Sequence, residues 1–461
     1  MTEYEQFLER KRQSDLYSGF DSLWMPAYLF DFQKSLTDWA IRKGKSALFE
    51  DCGLGKSVQE LVWAENVIRK TNGKVLLLAP IGVSWQMVDE GAKFGIDCQR
   101  SIDGTPAANI TTTNYERLHL FNPEDYTGVV CDESSILKSF TGQRKKDITR
   151  FMSKIPYRLL GTATAAPNDF NELGTSSEAL GQLAYMDVLS TFFTNDENSS
   201  HPGSREYGMS KYIHGLWRLK GHAERDFWKW VCSWARACRR PSDLGFNDDK
   251  FTLPKLTVKE TPIENEEPLP GELFVTKART LQEQRAELRA TLTHRCEKVS
   301  ELVAGHPVSI VWCELNDEGD LLEQIIPNSV QIAGKHSDEI KEERLRAFVG
   351  GEIKVLITKP KIAGFGMNFQ HCAHMTMFPS HSFERYYQSV RRCWRFGQKN
   401  PVTVDIITTE GETNVLKNLQ RKSEQADKMF TQLVAEMNNE LQINRIRKHN
   451  NNITLPQWIR K

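Results

Sequence analysis

The sequence predicts an α/β protein, with two parallel-sheet units and largely helical material between them. Three observations predict it. A chain of 461 residues is too long for one ordinary hydrophobic core and suggests two to four domains. Two separate stretches alternate short apolar runs with segments of helical periodicity. The stretch between them lacks that alternation.

The first unit rests on KVLLLAP (74–80), NITTTNY (109–115), YTGVVCDE (126–133) and YRLLGTAT (157–164), apolar runs that end in turn or polar residues. SVQELVWAENVIRK (57–70) reads as a helix among them, the pattern of a parallel, doubly wound sheet. Residues 171–250, rich in Trp, Gly, Ser and His, read as helical but irregular, and FTLPKLTVKETPI (251–263) reads as an extended connector. Residues 272–304 predict one long amphipathic helix, with Leu281, Leu288, Leu292, Cys296, Val299 and Val303 on its core-facing stripe. The second unit begins at HPVSIVWCE (306–314) and continues through SVQIAG, IKVLITK, HMTMFP and VTVDIITTE.

Composition narrows the class. Hydrophobic residues make up 39% and charged residues 26%, the balance of a globular chain. No run approaches the roughly 18 unbroken apolar residues of a membrane span, and MTEYEQFLERKRQSD is too charged for a signal peptide. Nine scattered cysteines without a C-x-x-C pair argue against a disulfide framework or zinc ribbon and fit a reducing cytoplasm. Sixty basic and sixty acidic residues cancel, yet residues 211–240 hold eight Lys or Arg against two acids, and residues 441–461 hold five against none.

The chemistry centres on KSALFEDCGLGKS (45–57), an apolar run, a glycine loop and a helix start. A phosphate loop needs backbone N–H groups free to face an anion, hence Gly53 and Gly55 around Leu54. It also needs a lysine for the outer phosphates, Lys56, and a hydroxyl for Mg²⁺, Ser57. Glu50 stands where the general pattern has glycine, so the loop alone also reads as a glycine turn capping a helix. VVCDE then delivers Asp132 and Glu133 at the C-terminal end of a buried-type strand, where ligands sit in open α/β sheets. Asp132 suits Mg²⁺ and Glu133 the attacking water. In RRCWR, Arg392 and Arg395 lie three apart, as on one helix face. Alone they read as a solvated basic face; beside a phosphate loop and a DE pair they read as arginine fingers.

In this order the motifs resemble a superfamily 2 helicase or translocase, specifically the Swi/Snf-type DNA-dependent ATPases, from about Phe30 to about Leu433. EDCGLGKS resembles that family's D-E-M-G-L-G-K-T, and Phe32–Gln33 its aromatic–Gln pair, whose Gln reads adenine. APIGVSWQMVDEGAKF (79–94) resembles the motif that touches the DNA backbone, ITTTNYERL (110–118) resembles I-T-S-Y-E-x-L, and LLGTATAAPND (159–169) resembles the motif that couples ATP state to DNA grip. QIAGKHSDEIKEERLRAF (331–348) and LITKPKIAGFGMNFQHCAHMTMF (356–378) resemble second-lobe motifs, the latter with Gly364, Gly366 and Asn368 in matching places. YYQSVRRCWRFGQKNPVTV (386–404) resembles Q-A-x-x-R-x-H-R-I-G-Q at Gln388, Arg392, Arg395, Gly397 and Gln398. Departures are Ser135 in place of the usual His, the swapped acids Glu50–Asp51, and Trp394 between the arginines. KGHAERDFWKWVCSWARACRRPSDLGF also resembles phage and prophage versions.

The resemblance implies two RecA-like lobes: residues 1–170, and 306–440 carrying the fingers. Between them lie a helical protrusion with connector (171–263) and a linking helix (264–305), and a basic tail (441–461) follows. It implies ATP and Mg²⁺ as cofactors, with Gln33, Gly53, Leu54, Gly55, Lys56, Ser57 and Gly366 at the nucleotide and Ser57 and Asp132 at the metal. Lys56, Asp132, Glu133, Arg392 and Arg395 are the expected catalytic set. The expected partner is duplex DNA, and the chain is expected to act as a cytoplasmic monomer away from membranes. Trp217, Trp228, Trp230 and Trp234 among basic residues read either as base-stacking groups or as the protrusion's own core. The tail (Arg445, Arg447, Lys448, Arg460, Lys461) reads either as a DNA contact or as disordered. An RNA or single-strand helicase and a nucleotide-gated DNA-binding scaffold remain the alternatives.

Overall fold

The computed structural model describes residues 17–80, 82–166, 168–195, 217–264, 281–364, 367–380, 382–409 and 412–450. Both expected parallel sheets are present, and each matches one RecA-like α/β lobe. The first contains β1 (Lys45–Glu50), β2 (Val75–Ala79), β3 (Cys98–Arg100), β4 (Ile110–Asn114), β5 (Gly128–Asp132) and β6 (Tyr157–Thr162). A small antiparallel pair follows, β7 (Phe193–Asn195) with β8 (Trp217–Leu219), and then β9 (Ala235–Cys238). The second sheet contains β10 (Leu256–Ile263), β11 (Ser309–Trp312), β12 (Ser329–Ile332), β13 (Val355–Thr358), β14 (His374–Met377) and β15 (Val402–Thr409). The orders are β3-β4-β2-β5-β6-β1-β9 and β10-β15-β14-β11-β13-β12. Runs such as VLLLA in β2 and VLIT in β13 are buried along their whole length, as strands covered by helices on both faces must be.

Register sets the site. Across β5, β6 and β1, Asp132 lies opposite Gly161, and Thr162 opposite Phe49. The strand ends that carry Glu50, Thr162 and Asp132 therefore stand side by side at the carboxyl edge of the sheet, the edge where ligands bind in this architecture.

Four expectations about elements need correction. The segment read as an extended connector is strand β10, paired residue by residue with β15 from Leu256–Val402 to Ile263–Thr409. It is a partly exposed edge strand containing Pro262, so it lacks the apolar run of a central strand. The segment read as helical contains β9, which extends the first sheet beyond β1. The single helix read over 272–304 is two, Leu281–Ala290 and Leu292–Ala304, and residues 272–280 lie outside the described residues. At the break, the Thr291 hydroxyl bonds the Glu287 carbonyl and accepts from Arg295. Lastly, residues 441–450 continue the helix Thr413–Asn450, and residues 451–461 lie outside the described residues.

That last helix crosses back to the first lobe. Met429, Phe430, Leu433 and Met437 join the first-lobe core beside Trp228, Val231 and Trp234. Arg239 braces it, ion-paired with Asp427 at 2.7 Å and stacked on the Phe430 ring. Trp228 and Trp234 are buried in this core, so for them packing prevails over base stacking. Among the described residues no helix is long and apolar enough to cross a membrane.

Candidate active site

The loop after β1 turns through two glycines that only glycine suits. Gly53 has φ +90° and a Cβ there would lie 2.8 Å from the backbone nitrogen of Phe396. Gly55 has φ +80° and its Cβ would lie 2.4 Å from the Gln33 amide. Lys56 opens the next helix, and its ammonium donates to the carbonyls of Glu50 (2.7 Å) and Asp51 (3.3 Å). Gln33 lies against the loop, donating to the Leu54 carbonyl at 2.7 Å and accepting from Phe30 N–H. Both ends of its amide are therefore engaged by the chain itself. Leu54 turns its side chain into the core, and Phe32 is buried there too. Ser57 lies near Glu90, whose carboxyl is raised above its ordinary value by burial.

Asp132 ends β5 and is buried. Its pKa is pushed up to about 7, by burial first and then by the charge of Glu133, with Lys56 opposing. Glu133 follows in the left-handed region, φ +54°, a conformation that costs a non-glycine residue about 1–2 kcal/mol. Its N–H donates to Asp132 Oδ1 at 3.0 Å, and its carboxylate accepts from Thr162 at 3.4 Å.

The second lobe meets this group along one helix, Phe383–Cys393. Gln388 donates to Glu133 and Thr164, both at 3.4 Å. Arg392 Nη2 lies 3.7 Å from Glu133 Oε1, while its other nitrogens bond the carbonyls of Gln388 and Met367. Arg395 was expected on the same helix face and is not: the helix ends at Cys393 and Arg395 sits in the following turn. It still reaches the cleft, with its Cβ 3.4 Å from the position of a Gly53 Cβ and its Nη1 on the Met367 carbonyl at 3.3 Å. Burial, then Arg392, pulls its pKa down to about 10. Phe396, next in the turn, stacks on Phe251 with ring centroids 4.6 Å apart. Lys56, Asp132, Glu133, Arg392 and Arg395 thus share one cleft, and Gly366 lies outside the described residues.

Two further acids belong to the cluster. Glu60, one helical turn after Lys56, is buried with neither carboxylate oxygen hydrogen-bonded. Burial, then Asp132, raises its pKa well above the ordinary value. Glu50 is pushed up to about 7 by burial, against the pull of Lys56 and Gln59. Glu60 was legible in principle, since a Glu four positions from Lys56 shares its helix face among apolar neighbours. The glycine cradle, the lysine and these buried carboxylates suit a magnesium–nucleotide. Among the described residues no three His, Cys, Asp or Glu converge on a metal position. Mg²⁺ needs no such cage, taking one or two carboxylates with phosphate oxygens and water. Beside the cleft a half-open pocket of about 280 Å³ lies between Trp85 and Gln86 of the first lobe and Val349, Met367, Asn368, Gln370 and His371 of the second.

The buried acids predict a pH dependence of stability. Glu50, Glu172 and Glu412 each sit at about 7, raised first by burial. A raised carboxyl pKa means the folded chain holds protons that the unfolded chain has released, so stability falls as pH rises from about 4.5 to 7. Each such group is worth about 2 kcal/mol between pH 5.5 and 7. Thermal unfolding is expected at a higher temperature at pH 5.5 than at pH 8, and Glu172→Gln, outside the cleft, is expected to flatten the profile. A midpoint that rises with pH would refute this.

No family model matches the sequence, and no curated protein matches it. Among solved structures, the chain is similar to a Sulfolobus solfataricus SWI2/SNF2 ATPase core in complex with dsDNA. The identity is 15%, over 90% of this chain and 96% of that one, with a TM-score of 0.40.

Proposed function

We propose that this chain is a DNA-dependent ATPase of the Swi/Snf type that hydrolyses ATP between its lobes and moves along duplex DNA. One observation carries the reading: Lys56, Asp132 and Glu133 of one lobe and Gln388, Arg392 and Arg395 of the other converge on a single cleft. Phosphoryl transfer needs that division of labour. Lys56, released from the loop carbonyls, holds the outer phosphates. Asp132, in its ionised form, holds the magnesium shell with Ser57. When bound, Mg²⁺ neutralises charge on the phosphate oxygens. Glu133, held rigidly in its left-handed turn, accepts the proton of the attacking water. Arg392 and Arg395 supply positive charge as the transferred group develops negative charge. Because the arginines come from the second lobe, hydrolysis is tied to lobe closure. The order of motifs supports DNA as the polymer and translocation rather than strand separation as the work.

The test is steady-state phosphate release with Mg²⁺, comparing no polymer, duplex DNA, single-stranded DNA and RNA. Duplex DNA is expected to stimulate most. Stimulation only by RNA or single strands would transfer the chain to the helicase alternative. No hydrolysis with any polymer, and Lys56→Ala indistinguishable from the parent, would leave the nucleotide-gated scaffold.

A further inference from the structure

One buried contact between the lobes is made by residues that the reaction above does not use. Asp51 is the first residue of the phosphate loop, and its backbone N–H is fixed on the Cys238 carbonyl at 2.9 Å. Its carboxylate is shared. Oδ1 accepts from the Cys52 N–H inside the loop at 2.6 Å and from the Tyr387 hydroxyl at 2.5 Å. Oδ2 accepts from Arg391 Nη2 at 2.5 Å, and that same nitrogen donates to the Cys52 carbonyl at 3.0 Å. Tyr387 and Arg391 stand four apart on the helix Phe383–Cys393, so both reach the loop from one face. The pair is dry, with only 4% of the Arg391 side chain and 12% of the Asp51 side chain exposed. The guanidinium also lies 4.9 Å from the Trp394 ring, whose Nε1 donates to the Pro254 carbonyl.

We propose that Asp51, Tyr387 and Arg391 form a closure latch that locks the second lobe onto the phosphate loop and so positions Arg392 and Arg395. An ion pair within one lobe would only stabilise that lobe; this one spans the cleft and grips the loop itself. The geometry explains two sequence features. The acid beside the glycines, Asp51, has a short side chain that bonds its own loop and leaves its second oxygen for the partner. In the doublet Arg391–Arg392, adjacent arginines have separate tasks: Arg391 holds Asp51 while Arg392 faces Glu133. These three are positioning residues. The claim that they serve Arg392 and Arg395 rests on the ATPase reading; the interlobe lock does not.

The test uses the full chain with Arg391→Gln, Asp51→Asn, the double variant, and the milder Tyr387→Phe and Arg391→Lys. Each of the first two is expected to lower kcat about tenfold or more, with the KM for ATP changed less than about threefold. The double variant is expected to be no worse than the poorer single, since either change already opens the latch. Tyr387→Phe is expected to lose about threefold, and Arg391→Lys to recover part of the Arg391→Gln loss. Losses that multiply in the double variant, or a kcat within twofold of the parent, would overturn the latch. If the parent shows no turnover, the ATPase reading fails and small-angle scattering decides the latch alone. A larger radius of gyration for Arg391→Gln then supports it, and an unchanged radius overturns it.

Discussion

Glu133→Gln is expected to lower the DNA-stimulated kcat by about 10²- to 10⁴-fold, the range for removing a positioned general base. Nucleotide affinity should persist, because Lys56 and the glycine loop are untouched. Lys56→Ala should differ by losing affinity as well, since its ammonium is the loop's own cation. The Gln variant should also be at least as stable as the parent. Glu133 stands beside Asp132, Glu60 and Glu50 in a buried site, and their mutual repulsion is part of what raises Asp132 and Glu60. Removing one negative charge relieves it, a common exchange of stability for function at active sites. Phosphate-release kinetics and thermal unfolding of the same preparation check both halves. A kcat within tenfold of the parent would remove Glu133 from the chemistry.

Leu433→Ala is expected to destabilise the first lobe by about 2–5 kcal/mol, as large-to-small changes in buried positions do. Leu433 lies in the last helix, yet its side chain is buried in the first-lobe core, and its carbonyl is 3.6 Å from the Cys232 thiol. Trp228 and Trp234 lie in the same cluster, so their emission reports the loss directly. With two lobes a single unfolding transition is not assured, and the expected signature is an earlier tryptophan-detected transition in urea. Phe430→Ala combined with Leu433→Ala should move it further. An unchanged midpoint would mean that the helix merely rests on the surface.

The sheets were legible because buried parallel strands are unbroken apolar runs: VLLLA and GVVCD read as strands at sight, whereas the partly exposed LTVKETPI did not. In the cleft, Gly53, Gly55, Lys56, Asp132, Glu133 and Arg392 announce themselves through motif spacing, each within its own segment. Asp51–Arg391 was hidden for a different reason. The partners are 340 positions apart, and nothing local in either segment specifies the other. Glu60 carries only the weak signal of its spacing from Lys56, because a glutamate on a helix such as SVQELVWAENVIRK ordinarily faces water. Its burial depends on Gly161, whose missing side chain leaves the carboxylate room; a Cβ there would lie 2.0 Å from Oε1. The docking of the last helix was also illegible, because an amphipathic stripe states that a face is covered without stating by what.

The placement of that helix has a consequence for how the chain is made. Cys232 and Leu433 are 201 positions apart, so the first lobe's core is completed by residues translated after every strand of both sheets. At roughly 5–20 residues per second, the nascent first lobe waits about 10–40 s with the surface around Trp228 and Trp234 uncovered. During that interval it is a natural client for a holding chaperone. Synthesis from the amino end therefore cannot finish the first lobe before the second, because the turns that carry Met429 to Met437 close the first-lobe core last.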